Sequence, residues 1–259
     1  MNFDIENKGW RPIGLLVFQG LALLLLASWW FKDSTTRLLW DQLDQLVFFN
    51  LNGSLAEGES WQRFWAIANN RAFDLASAIL VMLLYARFSL AEGGKYLTER
   101  IAAFILVFIF TLLMIEISNG TLEELSRQSP SLMLEPVYRL TELVPDIKSK
   151  DYSGSSFPGD HASVLMLWTG YFWFLAGARY GLIVLLIAVL FSMPRVVAGA
   201  HWFTDDVVGS GFIALTGLGW LFYTPLCQRG TRWLLPVARK IAPIVAWIMR
   251  LIGIKLAYK

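Results

Sequence analysis

The sequence predicts an all-α protein that crosses a membrane several times. Its residues are 56% hydrophobic and only 16% charged, and the mean hydropathy is +0.52. This apolar share exceeds that of an ordinary soluble domain. Six apolar stretches also reach the roughly 17 to 25 residues that a helix needs to cross a bilayer. We therefore expect a polytopic membrane protein with six transmembrane helices and additional interfacial helices.

The predicted elements divide the chain into a membrane domain, residues 1–230, and a tail, residues 231–259. The six predicted spans are residues 13–31, 72–90, 101–119, 162–178, 182–200 and 208–226. Apolar residues between 37 and 70 repeat at helical spacing among acidic ones, a pattern that favours a helix lying along the interface. The tail mixes tryptophan and aliphatic residues with six basic side chains, and Pro236 and Pro243 are expected to interrupt it. We interpret it as a basic amphipathic segment, either a positive-inside anchor or a site for anionic lipid.

The distribution of basic residues predicts the orientation. One side of the predicted membrane domain collects Lys8, Arg11, Arg87, Lys95, Arg100, Arg179, Arg229, Arg232, Arg239, Lys240, Arg250, Lys255 and Lys259, against only Asp4, Glu6, Glu92 and Glu99. Lysine and arginine are retained on the cytoplasmic side. We therefore expect both termini in the cytoplasm, the loops 32–71 and 119–161 outside, and in a bacterial inner membrane an active site that faces the periplasm.

Composition also excludes several classes of function. The formal net charge of +2 is too small to indicate a nucleic-acid partner. The single cysteine, Cys227, cannot form an intrachain disulfide, and the sequence has no Cys/His cluster of the kind that binds zinc. We expect neither a metal nor another cofactor.

Both histidines of the chain lie at outer helix edges beside charged residues. His201 and Asp205 are four residues apart, so a carboxylate can bind one ring nitrogen and leave the other free as a nucleophile. His161 opens the fourth span, where unpaired backbone N–H groups favour an anion. Arg195 is a forked cation suited to phosphate, although it could instead extend from the fifth span to the interface. Together these residues predict a phosphate site with a nucleophile and an acid.

Two segments carry a resemblance to a known family. The sequence FPGDH, residues 157–161, and the spacing of Arg195, His201 and Asp205 resemble the second and third signature motifs of the type 2 phosphatidic acid phosphatase superfamily. The family's usual Ser-Gly is replaced by Gly159-Asp160. The resemblance implies a six-helix membrane fold and metal-independent phosphoryl transfer.

The first signature motif of that superfamily is degraded in this chain. Leu122 and Ser129 stand where the family has its lysine and arginine. We expect Arg127 to substitute as a phosphate ligand beside Arg195, Gly159 and Asp160. The remaining candidates in the same loop are Lys148 and Lys150.

Residues 66–74, 156–161 and 194–205 together resemble the lipid A 1-diphosphate synthase family. The resemblance implies that undecaprenyl diphosphate is the phosphate donor and that lipid A is the acceptor, with its 1-phosphate favoured. Undecaprenyl phosphate would be released, and the protein would also contact the surrounding membrane lipids. It further implies that His201 becomes a phosphohistidine while Asp205 holds its ring, and that His161 protonates the leaving oxygen. The headgroup candidates are Asn69, Asn70, Arg71, Asp74 and Glu116; a polar helix start and an interfacial glutamate are the alternatives.

Two rival functions remain at this level. Hydrolases of the superfamily share the same two histidines, so the chain could be an undecaprenyl diphosphate or phosphatidylglycerophosphate phosphatase. A lipid flippase with histidine proton relays is the rival from another class, although the predicted spans are nearly free of charged residues.

Overall fold

The computed structural model describes residues 9–254 and 256, and within these residues every regular element is helical. The all-α prediction is confirmed. Several residues used to predict the orientation, namely Asp4, Glu6, Lys8, Lys255 and Lys259, lie outside the described residues.

The described chain forms eleven α-helices. They are α1 (Pro12–Trp30), α2 (Thr35–Gly53), α3 (Glu59–Ala68), α4 (Arg71–Leu90), α5 (Leu97–Thr121), α6 (Pro130–Met133), α7 (Leu140–Leu143), α8 (Asp160–Ala176), α9 (Ala178–Val197), α10 (Gly211–Tyr223) and α11 (Leu226–Leu251). A π-helical turn, Asp205–Ser210, leads directly into α10.

Five of these segments are long and apolar enough to cross a membrane. They are α1, α4 with the turn that follows it, α5, α9, and α10 with its π-helical turn. The remaining predicted span corresponds to α8, which has 17 residues. At about 1.5 Å per residue, a helix of that length falls somewhat short of a hydrocarbon core of about 30 Å. The protein is a helical membrane protein, and the sixth crossing stays a prediction.

Local sequence explains where several helices begin and reverse. Ser34 caps α2 by accepting a hydrogen bond from the Arg37 N–H at 3.1 Å, and Asn70 caps α4 by accepting from the Ala72 N–H at 2.9 Å. Gly177 has φ +98°, a conformation that favours glycine, and it allows α8 to reverse directly into α9. This reversal places the start of α8 near the end of α9.

The core is centred on α8, which packs against α9 and α10. Its Tyr171 and Phe172 are almost fully buried, and Tyr85 of α4 meets the ring of Phe172 edge to face at 5.7 Å. Leucines of the membrane-spanning helices remain exposed on the outer surface, as a lipid-facing surface requires.

The amphipathic segment after α1 forms two helices, α2 and α3, and α2 turns its polar side inward. Leu38, Leu39 and Leu46 are exposed, whereas Asp44 and Asn52 are buried. The Asn52 amide donates to the carbonyls of Tyr138 and Val197, and its oxygen accepts from the Tyr138 N–H. These buried polar bonds fix α2 against the protein. The exposed leucines of α2 can then face lipid.

The tail forms one helix, α11, which runs from Leu226 to Leu251 through both prolines. The predicted interruption at Pro236 and Pro243 is therefore wrong. Ala238, Ala242 and Ala246 are buried, and α11 packs closely along α5. Tertiary packing through these small side chains compensates for the backbone hydrogen bonds that proline cannot make.

Candidate active site

The structure brings both histidines into one small cavity. Gly159 and His161 come from the start of α8, Arg195 from the last turn of α9, and His201 from the loop that follows. Asp206, in the π-helical turn before α10, also lines the cavity. Both imidazoles therefore line the same cavity.

The loop after α9 is shaped by Gly199 and by one carbonyl. Gly199 has φ +76°, and a Cβ at this position would lie 2.9 Å from the Phe48 ring. The Arg195 carbonyl accepts from the N–H groups of Ala200 and His201 at 2.9 and 3.3 Å. The chain therefore turns back on the end of α9 and holds His201 beside Arg195.

The hydrogen bond to Nδ1 fixes the tautomer of His201. Nδ1 lies 2.8 Å from the carbonyl oxygen of Ser156, which can only accept, so Nδ1 carries the proton. In the neutral ring Nε2 then retains its lone pair and is available as a nucleophile. The nearest Asp205 oxygen is 3.7 Å from Nδ1, so the direct partner of the ring is a backbone carbonyl rather than the expected carboxylate.

Asp205 is fully buried, and both of its oxygens accept hydrogen bonds. Oδ2 accepts from the Trp202 N–H at 2.8 Å, and Oδ1 accepts from two nitrogens of Arg127 at 3.0 and 3.2 Å. Burial disfavours protonation of His201, but interactions led by the Asp205 carboxylate outweigh that effect and raise the pKa of His201 above its usual value. The carboxylate of Asp205 therefore acts on His201 at short range.

Arg127 lies behind this pair, in a different environment from the one expected of a phosphate ligand. Its guanidinium donates to Asp205, to Asp44 at 2.9 Å and to the Thr204 hydroxyl at 2.6 Å. It also lies over the ring of Trp202, 4.6 Å from the ring centre. Its hydrogen bonds thus go to buried protein groups, and it is not among the residues that line the small cavity.

Asp44 is a site residue that the motif analysis did not identify. It is 1% exposed, accepts from both the N–H and the hydroxyl of Thr204 at 2.9 and 2.7 Å, and shares Arg127 with Asp205. Burial raises the pKa of Asp44 although Arg127 opposes this. The sequence signal was the polar positions 44 and 52, eight residues apart on one face of α2.

Arg195 reaches the cavity with its charge already partly paired. One nitrogen donates to the backbone carbonyl of Asn69 at 2.8 Å and to its side-chain oxygen, and another donates to Asp74 at 2.5 Å. Asp74 lies 3.9 Å from Nε2 of His161. Nε2 of His161 is buried and has no hydrogen-bond partner among the described residues. Asp74 therefore forms an ion pair with Arg195 and lies close to His161 without a hydrogen bond to it.

Gly159 brings its backbone close to Asp206. A Cβ on Gly159 would lie 2.2 Å from Oδ1 of Asp206, so only glycine leaves room for that carboxyl. The neighbouring Asp160 is exposed and interacts electrostatically with Lys150. Burial and the nearby charge of Arg195 lower the pKa of Lys150.

The remaining headgroup candidates lie outside the cavity. The side-chain amides of Asn69 and Asn70 donate to the carbonyls of Lys150 and Lys148 at 2.6 and 2.8 Å, so they hold the outer loop against α4. Arg71 is exposed. Glu116 lines a separate groove with Val164 and Trp168, where α5 meets α8.

Two histidines and an arginine around one cavity, carried by membrane helices, define the class of this protein. Residues 126–230 match the PAP2 superfamily, and the chain belongs to this superfamily of lipid phosphatases and phosphotransferases. The chain is 37% identical over 222 residues to lipid A 1-diphosphate synthase of Escherichia coli (strain K12), a match that covers 86% of this chain and 91% of that protein. No solved structure matches it significantly.

Proposed function

We propose that this protein moves the distal phosphate of undecaprenyl diphosphate to a lipid A phosphate, with the 1-position favoured, through a phosphohistidine. The observation that carries the proposal is the hydrogen bond from Nδ1 of His201 to the Ser156 carbonyl. In the neutral ring it leaves the lone pair on Nε2, in the cavity that His161 and Arg195 also line. The resemblance to lipid A 1-diphosphate synthase supports this donor and acceptor over others.

In the first step, Nε2 of His201 attacks the distal phosphorus and the bond from that phosphorus to the bridging oxygen breaks. His161 donates a proton to the bridging oxygen, which leaves as undecaprenyl phosphate. The unpartnered Nε2 of His161 suits that transfer, because no protein group competes for its proton. Arg195, oriented by Asn69 and Asp74, neutralises charge on the nonbridging oxygens.

In the second step, an oxygen of the lipid A phosphate attacks the phosphohistidine and releases the His201 imidazole. Asp205 stabilises the charged ring of the intermediate, and Arg127 with Asp44 holds Asp205 in place. We therefore assign Arg127 a positioning role instead of direct phosphate binding. Lys150 and Arg71, at the rim, are available for the acceptor headgroup.

An apolar groove of about 230 Å³ supports a lipid substrate. It shares Ala162, Ser192 and Asp206 with the catalytic cavity, and its other lining residues include Leu185 and Val189. A hydrocarbon chain in this groove would place its attached phosphate beside the histidines. The proposed location is the outer leaflet of a bacterial inner membrane, with both termini cytoplasmic and the site facing the periplasm.

The test is transfer by the purified protein in chelator, with labelled undecaprenyl diphosphate and lipid A. We expect a lipid A product with one added phosphate, acid-labile label on the wild type, and neither signal from His201→Ala. Release of inorganic phosphate without lipid A modification would instead establish the hydrolase. Unlabelled protein together with lipid translocation in vesicles would favour the flippase.

A further inference from the structure

Asp206 is the charged residue of the cavity for which the proposed mechanism has no role. It lies in the π-helical turn directly after Asp205 and lines the cavity together with His161, Arg195 and His201. No hydrogen bond or ion pair joins its carboxyl to another residue in the described part of the chain. An unpartnered carboxyl aimed at a phosphate site requires an explanation, since an anion there would repel the substrate.

The surroundings of Asp206 favour its neutral form. One side of the residue lines the groove beside Phe203 and Val207, and the other lining side chains of this groove are mostly apolar. The groups that face it from other parts of the site are His201, Asp205, Asp44 of α2, His161 of α8 and Arg195 of α9. Two of these groups are carboxylates, and Arg195 is already bonded to Asp74. An incoming phosphate adds further negative charge, which also favours the neutral form of Asp206.

The cavity also needs hydrogen-bond donors. Arg127 donates to Asp44, Thr204 and Asp205 and does not line the cavity, so it supplies no donor to a phosphoryl group there. Arg195 already donates to Asn69 and Asp74. A phosphoryl group has three nonbridging oxygens, and charge accumulates on them in the transition state. A protonated carboxyl in this position supplies a donor without adding a charge.

We propose that Asp206 is a further catalytic residue, which acts as a neutral carboxylic acid and donates a hydrogen bond to the phosphoryl group. This inference rests on the proposed function. The position of Asp206 at the junction of cavity and groove assigns its proton to an oxygen on the side where the lipid chain enters. The absence of a side chain on Gly159 makes room for the carboxyl to reach that oxygen.

Two substitutions separate the donor from the charge. Asp206→Asn keeps a donor of the same size, whereas Asp206→Val removes it, and Asp33→Asn on the exposed turn after α1 is the matched control. At neutral pH we expect kcat/KM to fall only a few-fold in Asp206→Asn but roughly 10- to 100-fold in Asp206→Val, the loss expected for a hydrogen bond to a charged group. Asp206→Asn falling as far as Asp206→Val would overturn the proposal.

The pH profile gives a second readout. As the pH rises, both His161 and Asp206 lose a proton that the reaction needs, so log kcat/KM of the wild type should decline with a slope approaching about two. In Asp206→Asn the slope should fall to about one. An unchanged slope would show that Asp206 does not act as a proton-bearing donor.

Binding of orthovanadate, followed as a thermal shift of the purified protein, keeps the inference testable apart from the reaction. We expect vanadate to stabilise wild type and Asp206→Asn and to stabilise Asp206→Val much less, while unliganded Asp206→Val unfolds near the wild-type temperature. If the wild type turns over no lipid phosphate, the proposed function fails and this comparison still decides the role of Asp206. Equal stabilisation of wild type and Asp206→Val would overturn it.

Discussion

Replacing Arg127 with methionine tests whether this arginine holds the Asp205 carboxylate or binds phosphate. Its guanidinium, in a side chain that is 15% exposed, lies 2.9 Å from Asp44 and 3.0 Å from Asp205. Those two carboxylates are 1% and 0% exposed. Arg127→Met therefore leaves two buried acids without the cation that they share.

Removing one partner of a buried ion pair destabilises a protein by about 3–5 kcal/mol, because the other charge remains buried. We expect Arg127→Met to lower the free energy of unfolding by about that amount. Asp44→Asn removes one of the two acids, so the double variant should be more stable than the sum of the single effects predicts, by about 1–3 kcal/mol. Arg127→Lys keeps the charge but loses the fork, and should fall between wild type and Arg127→Met.

The assay is unfolding of the five purified proteins, namely wild type, Arg127→Met, Arg127→Lys, Asp44→Asn and the double variant, in mixed micelles with increasing denaturing detergent. Each is also assayed for KM and kcat. The reasoning is refuted if Arg127→Met unfolds within about 1 kcal/mol of the wild type while its KM rises, since that pattern belongs to an exposed phosphate ligand.

Three further predictions follow from the same contacts. Asp205→Asn removes a carboxylate that raises the pKa of His201, so the acid limb of its kcat/KM profile should shift to lower pH, with a lower maximum; an unmoved limb would contradict this. Gly159→Ala should displace the Asp206 carboxyl, which its Cβ would approach to 2.2 Å, and lower kcat about tenfold with an unfolding temperature near that of the wild type. Asn52→Ala removes the partner of three backbone groups, the carbonyls of Tyr138 and Val197 and the N–H of Tyr138, and should destabilise the fold by about 2–4 kcal/mol in the same unfolding assay. Loss of activity without loss of stability would contradict this prediction.

Local patterns in the sequence were sufficient for the membrane class and the long apolar helices, and they brought His201 and Asp205 together as candidates. Apolar length reports on crossing directly, because a bilayer requires each backbone polar group to be bonded within its own helix. The spacing of four residues pointed to His201 and Asp205 together, and the folded chain places the two side chains 3.7 Å apart. His161 could be added through its motif.

Contacts between distant segments could not be derived in this way. Asp44 meets Arg127 and Thr204 across more than 75 residues of chain, and no local pattern encodes that distance. Arg127 is a plausible phosphate ligand by position, yet the folded chain places two buried carboxylates within its reach. The folded chain likewise gives Nδ1 of His201 a backbone carbonyl as its partner.

The sequence by itself therefore determined the membrane class of the protein and predicted which residues carry phosphoryl transfer. Only the tertiary structure decided which groups they contact: Asp74 beside Arg195 and His161, Arg127 behind Asp205, and Asp206 in the cavity. The physical reason is that hydrophobic length and helical spacing act within a segment, whereas the partner of a buried charge depends on how separate helices pack.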